Sequence, residues 1–283
     1  VSLTSIGSEL KKAQQGNYAI PLLEFLELSG SEELFASIEK KRAPAIIGVY
    51  SGTLKKTRRS AVVACLKTMA AEATVPVSIM LDHGQSFEDC MEAIRDGFTD
   101  VMYDGSKLSF EENVRVTRDV VRAAHAVGVC VEAELGHVGS GAEYTEFGAK
   151  RKGFTDPDDV EKFVAQTGVD FLAIAVGTAH GVYKGEPAID TGLLSRIRGR
   201  VDVPLVLHGG TGLSDGQFRD SIRAGISKIN IATDFAVSAF AAMKKTANEE
   251  AGSYFKVMWS LHESVTLRAD YFLDLFGTSG KAA

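Results

Sequence analysis

Three histidines stand in the same unusual setting, each closing an apolar run and each followed by glycine. They are His83 in Ile79-Met-Leu-Asp-His-Gly84, His180 in Ala173-Ile-Ala-Val-Gly-Thr-Ala-His-Gly181, and His208 in Val203-Pro-Leu-Val-Leu-His-Gly-Gly-Thr-Gly212. A buried strand fixes an imidazole in place, and a glycine after it lets a ligand approach the backbone closely. One such histidine reads as a hydrogen-bonded core residue. Three with the same surroundings predict a shared metal site. Neutral imidazoles suit zinc, and three protein ligands with a fourth position open describe a catalytic rather than a structural ion. His125 falls mid-helix, His262 in a C-terminal helical region and His137 on a loop, so these three are assigned structural roles.

Carboxylates accompany the histidines. Asp82 precedes His83, and in extended backbone the two side chains would point oppositely, although a turning strand end can bring both to one mouth. Glu132 and Glu134 share one strand face by the period of two, and carboxylates on an interior face need a partner or a metal. Glu143, in a glycine-flanked loop, is a candidate base able to swing over a substrate. Gly209-Gly-Thr-Gly212 lies just before a helix pattern at Ser214, and Asn230-Ile-Ala-Thr233 ends the next apolar run. Backbone amides meeting a helix N-terminus there predict a phosphate site, to which Lys184 could add positive charge.

The elements that must position these groups alternate regularly. Apolar runs at 18–25, 44–50, 75–81, 100–103, 128–135, 170–176, 203–207 and 228–233 are each followed by a helix pattern. The helix starts carry Ser86, Ser109 with Glu112 three residues on, Asp156 before Pro157, and Ser214, all good N-terminal signals. Eight such pairs predict a parallel sheet closed as a (β/α)8 TIM barrel, in one domain over 1–283, with a helical C-terminal extension and a flexible tail at Gly277–Gly280. No Gly-x-Gly-x-x-Gly follows the first strand, which leaves an open nucleotide-binding sheet as the weaker alternative. In a barrel the catalytic groups sit at the C-terminal strand ends, here Ser51, Asp82, His83, Asp104, Ser106, Glu132, Glu134, His180, His208, Asn230 and Thr233.

Composition agrees. With 45% hydrophobic and 24% charged residues the chain has ample core material, and a net charge of −6 argues against nucleic acid as partner. Cys65, Cys90 and Cys130 form no Cys-x-x-Cys pair and read as reduced core thiols. Neither a signal peptide nor a membrane span is expected, so the expected location is cytoplasmic.

Taken together, Leu81-Asp-His-Gly84, Tyr103-Asp-Gly-Ser106, Val131-Glu-Ala-Glu-Leu-Gly136, Val176-Gly-Thr-Ala-His-Gly-Val-Tyr-Lys184, Val206-Leu-His-Gly-Gly-Thr-Gly212, Lys228-Ile-Asn-Ile-Ala-Thr233 and Phe276-Gly-Thr-Ser-Gly-Lys281 resemble the class II, metal-dependent ketose-bisphosphate aldolases, in the branch of tagatose- and fructose-bisphosphate aldolases. The resemblance covers nearly the whole chain. It implies a (β/α)8 barrel in which His83, His180 and His208 bind zinc, with Glu134 near an alternative metal position. It further implies that Asp82 exchanges the C4 hydroxyl proton and that Glu143 moves the proton at the dihydroxyacetone-phosphate carbon. Ser51, Gly181, Lys184, Gly209, Gly210, Thr211, Asn230, Ala232 and Thr233 would hold substrate, with sodium or potassium beside the phosphate in some members. The implied reaction is cleavage or formation of the C3–C4 bond of a phosphorylated ketose through a zinc-stabilised enediolate, in a homodimer or homotetramer.

Two places depart from the family pattern. Leu23-Glu24 replaces the usual Phe-Asn pair at the end of the first strand, and Tyr50 precedes Ser51 where a small hydroxyl residue is more usual. A glutamate there repels a second phosphate and a tyrosine narrows the pocket, so the aldehyde half is expected to differ from glyceraldehyde 3-phosphate. A metal-dependent isomerase or epimerase, and a non-catalytic aldolase-like accessory subunit, are the competing functions.

Overall fold

The structure, a computed structural model, describes residues 2–144, 153–249 and 253–282. Its strands are β1 (Ile20–Glu24), β2 (Ala45–Tyr50), β3 (Val77–Gly84), β4 (Asp100–Tyr103), β5 (Cys130–Leu135), β6 (Gly139–Ser140), β7 (Phe171–Ile174), β8 (Ala179–His180), β9 (Leu205–Leu207) and β10 (Ile226–Ile231). The helices are α1 (Gly7–Gly16), α2 (Leu28–Lys40), α3 (Ser51–Leu54), α4 (Arg59–Glu72), α5 (Phe87–Asp96), α6 (Phe110–His125), α7 (Pro157–Thr167), α8 (Thr191–Arg198), α9 (Asp215–Arg223), α10 (Thr233–Glu249) and α11 (Tyr254–Leu275).

Eight parallel strands close into a barrel in the order β1-β10-β9-β7-β5-β4-β3-β2. The short strands β6 and β8 form a separate parallel pair, joining Gly139 to Ala179 and Ser140 to His180. Thus the sixth barrel strand stops at Ile174, and His180 rides on an added ribbon. No described helix is long and apolar enough to cross a membrane.

Alternation along each strand divides the interior into two levels. The lower level is apolar, with Ile20, Leu22, Ile46, Met80, Met102, Phe171, Ala173 and Val206 packed together and closed from below by Ile6, Leu10 and Ala13. Two residues further along β1 and β3, and past the ends of β4 and β9, the inward positions become Glu24, Asp82, Asp104 and His208. A second cluster lies between barrel and helices, including Leu66, Phe163, Ile197, Phe218 and Phe272. Burying the apolar level at about 25 cal/mol per Å² holds the polar one in place.

The lower closure has one polar anchor. Buried Asp100 accepts hydrogen bonds from Ser5 Oγ at 2.7 Å, the Ile6 amide, Ser78 Oγ and Thr99 Oγ1 at 3.0 Å. Burial pushes its carboxyl up to about 7 although these donors pull it down.

Helix starts follow the sequence signals. Ser86, Ser109, Asp156 and Ser214 each accept an amide of the first turn. The reciprocal capping box forms at Ser214 with Gln217. At Ser109 only half of it forms, because the Glu112 carboxylate is taken by Arg115. The tail at Gly277–Gly280 is tied down rather than flexible. Thr278 Oγ1 donates to the Ala19 carbonyl at 2.5 Å, and the Gly280 and Ala282 amides donate to Lys41 and Arg42. Those bonds seat Phe276 and Ala282 in the core beside β1.

Candidate metal centre and active site

His83 reaches the mouth through a backbone irregularity. The β3–β4 register shifts between Leu81 and Gly84, and His83 itself has φ 52°. Left-handed backbone is costly for a residue with a Cβ. Here it turns the chain so that Asp82 and His83, which a straight strand would send to opposite faces, both line one cavity. His208 depends on its neighbour in another way. Gly209 has φ 71°, and a Cβ there would come within 2.4 Å of the Ala179 carbonyl oxygen. Only glycine lets the loop after β9 lie against β8, which sets His208 beside His180.

The rings of His83 and His208 have centroids 4.8 Å apart, those of His83 and His180 4.9 Å, and those of His180 and His208 5.8 Å. One ligand atom from each of these histidines and from Glu134 lies within 4.8 Å of all the others. His83 Nε2 and His208 Nδ1 face each other at 3.0 Å. Their far nitrogens are held by carboxylates. His83 Nδ1 meets Asp104 Oδ2 at 2.9 Å, and His208 Nε2 meets Glu132 Oε1 at 2.8 Å. Glu132 in turn faces Lys228 Nζ at 2.7 Å. A carboxylate accepts hydrogen bonds, so each outer nitrogen carries a hydrogen, which leaves the inner nitrogen as the one that would face an ion.

The electrostatics fit a cation. Burial, then the positive charge that His83 can carry, lowers His180 to about 3 and His208 well below the usual imidazole range, which keeps their lone pairs free. Burial opposes a charge on His83, yet Asp82, Asp104 and Glu134 outweigh it and push that ring up to about 10. A proton there stands where an ion would otherwise supply positive charge. Burial raises Glu134 to about 8, and its buried Oε2 has no hydrogen-bond partner among the described residues. Three imidazole nitrogens and one orphaned carboxylate oxygen are therefore a donor set suited to a divalent ion.

The site opens into a cavity of about 690 Å³. On its wall Asp82, 5% exposed, accepts a hydrogen bond from Asn230 Nδ2 at 2.9 Å, and Lys228 Nζ donates to Asn230 Oδ1 at 2.6 Å. These two bonds fix the carboxylate in the same cavity as the imidazoles. Glu24, also 5% exposed, lines the same space and accepts the Tyr50 amide at 2.6 Å. Burial and the nearby Asp82 raise its carboxyl well above the usual range.

The family described as fructose-bisphosphate aldolase class-II matches residues 4–281. The chain belongs to that family. It is 39% identical over 290 residues to the fructose-bisphosphate aldolase of Geobacillus stearothermophilus, covering all of both chains. Among solved structures it resembles the YdjI aldolase from Escherichia coli K12, with 32% identity, a TM-score of 0.87, and coverage of 99% of this chain and 100% of that one. A fructose-1,6-bisphosphate aldolase structure from Coccidioides immitis, described as putative, superimposes with a TM-score of 0.84 at 30% identity over 96% of each chain. The protein is a class II, divalent-metal-dependent aldolase acting on phosphorylated sugars, which disfavours both the isomerase and the accessory-subunit readings.

In this aldolase the residues expected at the metal, His83, His180, His208 and Glu134, come together. Gly181, Gly209, Gly210, Thr211, Asn230, Ala232 and Thr233 line the cavity. Ser51 and Lys184 do not. The chain turns into α3 directly after Tyr50, so Ser51 sits 4% exposed with its hydroxyl donated to the His83 carbonyl at 2.7 Å. It braces the strained histidine from behind. Lys184 is exposed on the rim, held by its amide to Gly141 O, while the preceding Tyr183 turns inward. The Tyr183 hydroxyl donates to Gly209 O and accepts from Ala179 N, both at 2.7 Å, clamping the β8 ribbon to the loop after β9. Glu143 ends a 3-10 turn, Gly141–Glu143, and its side chain lies outside the described residues.

The sequence reading placed Asp104 and Glu132 at the strand ends without giving them partners, and Lys228 escaped it. Asp104 and Glu132 carry the two ring-orienting contacts, and Lys228 neutralises Glu132. The available signal was a lysine spaced by two from Asn230 on a buried strand, where an unpaired charge is untenable. His137, read as structural, lines the cavity beside Ser106.

Proposed function

We propose that this aldolase cleaves, and in reverse forms, the C3–C4 bond of a ketose phosphate, yielding dihydroxyacetone phosphate and an aldehyde. Zinc is the proposed ion, held by His83, His180 and His208, with Glu134 at an alternative position. When bound, such an ion supplies Lewis acidity toward the ketose oxygens. The observation that carries the reading is the convergence of three imidazole nitrogens in one cavity with Asp82, a carboxylate already fixed by Asn230.

The residues divide the remaining work. Asp82 accepts the C4 hydroxyl proton as the C3–C4 bond breaks, C4 becomes the aldehyde carbon, and the bonding pair stays with C3. Glu143 then delivers a proton to that carbon. The phosphate of the dihydroxyacetone half sits against Gly209, Gly210, Thr211 and Ala232, with Thr233 at the N-terminus of α10, where helix amides favour an anion. Gly181 borders the same half, and a sodium or potassium ion beside the phosphate belongs to this reading, as does a homodimer or homotetramer.

The names of the relatives make fructose 1,6-bisphosphate the first substrate to assay. Metal-loaded protein is given a panel of ketose phosphates, and dihydroxyacetone phosphate is followed by coupled reduction to glycerol 3-phosphate. Release with the loaded protein and none after chelation is expected. A loaded protein that releases no dihydroxyacetone phosphate from any of them overturns the reading.

A further inference from the structure

The Glu24 side chain is held on both sides. Its Oε1 accepts the Tyr50 amide at 2.6 Å, and its Oε2 lies over Gly48, where an added Cβ would come within 3.0 Å of it. Oε2 is buried and has no hydrogen-bond partner among the described residues, although the side chain lines the cavity. A buried polar atom without a partner is costly, and the cost is recovered when a bound molecule supplies one.

The surroundings limit what that molecule can be. The wall built from the ends of β1, β2 and β3 carries Glu24, Tyr50, Thr53 and Asp82, and no lysine or arginine among its described lining residues. The nearest lysine of the lining, Lys107, belongs to the loop after β4. The glycine-rich phosphate end follows β9 and β10, and although β1 borders β10, the Glu24 side chain leans away from it across β2, toward the Tyr50 amide and Gly48, so this wall faces the aldehyde half. A second phosphate dianion there would meet two carboxyl groups, while the positive groups that act on Glu24, Lys228 and His83, are already paired with Glu132 and Asp104. A sugar hydroxyl, in contrast, satisfies Oε2 in either protonation state, donating to a carboxylate or accepting from a carboxyl.

We propose that Glu24 is a specificity-determining residue that selects an unphosphorylated, hydroxyl-bearing aldehyde half, so that the substrate class is a ketose 1-phosphate rather than a ketose bisphosphate. This rests on the function proposed above and names its substrate. The test is aldol addition of dihydroxyacetone phosphate to D-glyceraldehyde and to D-glyceraldehyde 3-phosphate, compared by kcat/KM on the metal-loaded full chain. The wild type is expected to favour D-glyceraldehyde by at least tenfold. Glu24→Gln, which halves the acceptor character of the group, should shift the ratio at least tenfold toward the phosphorylated aldehyde, mainly through KM. If Glu24→Gln does not fold, Glu24→Asp, which withdraws the oxygen by one methylene, should shift the ratio in the same direction. Equal or better use of the phosphorylated aldehyde by the wild type overturns the assignment, as does a ratio unmoved in a folded variant. Deuterium uptake into dihydroxyacetone phosphate in D2O, measured on the wild type without aldehyde, separates the two ideas. Exchange with the wrong preference removes only the role of Glu24; no exchange and no addition removes the aldolase reading with it.

Discussion

The Nε2 of His208 lies 2.8 Å from Glu132 Oε1, and both side chains are fully buried. Glu132 is therefore the group that aims the inner nitrogen of His208 toward His83 and His180. Lys228, equally buried at 2.7 Å, balances its charge. Asp104 does the same for His83.

Removing these orienting carboxylates should weaken metal binding without removing a ligand. Glu132→Gln and Asp104→Ala are each expected to lower zinc affinity by about 10–100-fold, read by competition with a chelating dye. Glu132→Gln also leaves the Lys228 charge unpaired, which should cost about 3–5 kcal/mol in chemical denaturation. Unchanged affinity in both variants would mean that the rings are held by packing alone.

Asp82 is separable from the metal. Asp82→Asn should retain one equivalent of bound ion, because none of the convergent donor atoms is removed. Cleavage should fall by about 10²–10⁴-fold, the usual loss for a positioned base. Measuring bound metal and turnover on the same sample decides it, and loss of the ion would place Asp82 among the ligands instead.

Gly209→Ala tests how His208 is brought to His180. The added Cβ meets the Ala179 carbonyl oxygen at 2.4 Å and the backbone has φ 71°, so both space and conformation oppose it. A loss of at least about 1 kcal/mol in stability is expected from the backbone penalty alone. Metal affinity should fall with it. Gly181→Ala, with a similar φ of 85° but open space around the Cβ, should be milder in both measurements.

Asp100 predicts a pH-dependent stability. Burial holds its folded-state carboxyl at about 7, above the ordinary aspartate value of 3.8. The folded state thus keeps a proton that the unfolded chain releases, and the resulting stabilisation is present below about pH 4 and lost as pH rises through about 7. Denaturation at pH 5 and pH 8 should show the wild type losing stability relative to Asp100→Asn across that interval. A constant difference between the two proteins would show that the hydroxyl donors around Asp100 outweigh its burial. In Asp100→Ala those donors and the Ile6 amide lose their acceptor, which should cost about 1–3 kcal/mol at either pH.

Much of this aldolase was legible along the chain because its signals are local. Apolar runs punctuated by helix starts set the eight-strand alternation, and serine or aspartate caps fell where the helices begin. The His-Gly tips marked the imidazoles that converge, since a strand end followed by glycine has a meaning that neighbours in sequence already carry. Only the tertiary structure decided how those tips are aimed. Leu81, Asp82 and His83 do not announce a bulge, yet φ 52° at His83 brings both polar side chains into one cavity. Ser51 braces His83 and Tyr183 clamps the β8 ribbon to the loop after β9, because the turn into α3 and the ribbon at β8 depend on backbone neighbours far away in the chain. The link of Glu132 to His208 and Lys228 and the facing nitrogens of His83 and His208 across 125 residues are contacts between different strands. Residue order specifies which groups lie on the inner face of each strand; closing the barrel specifies which of them meet.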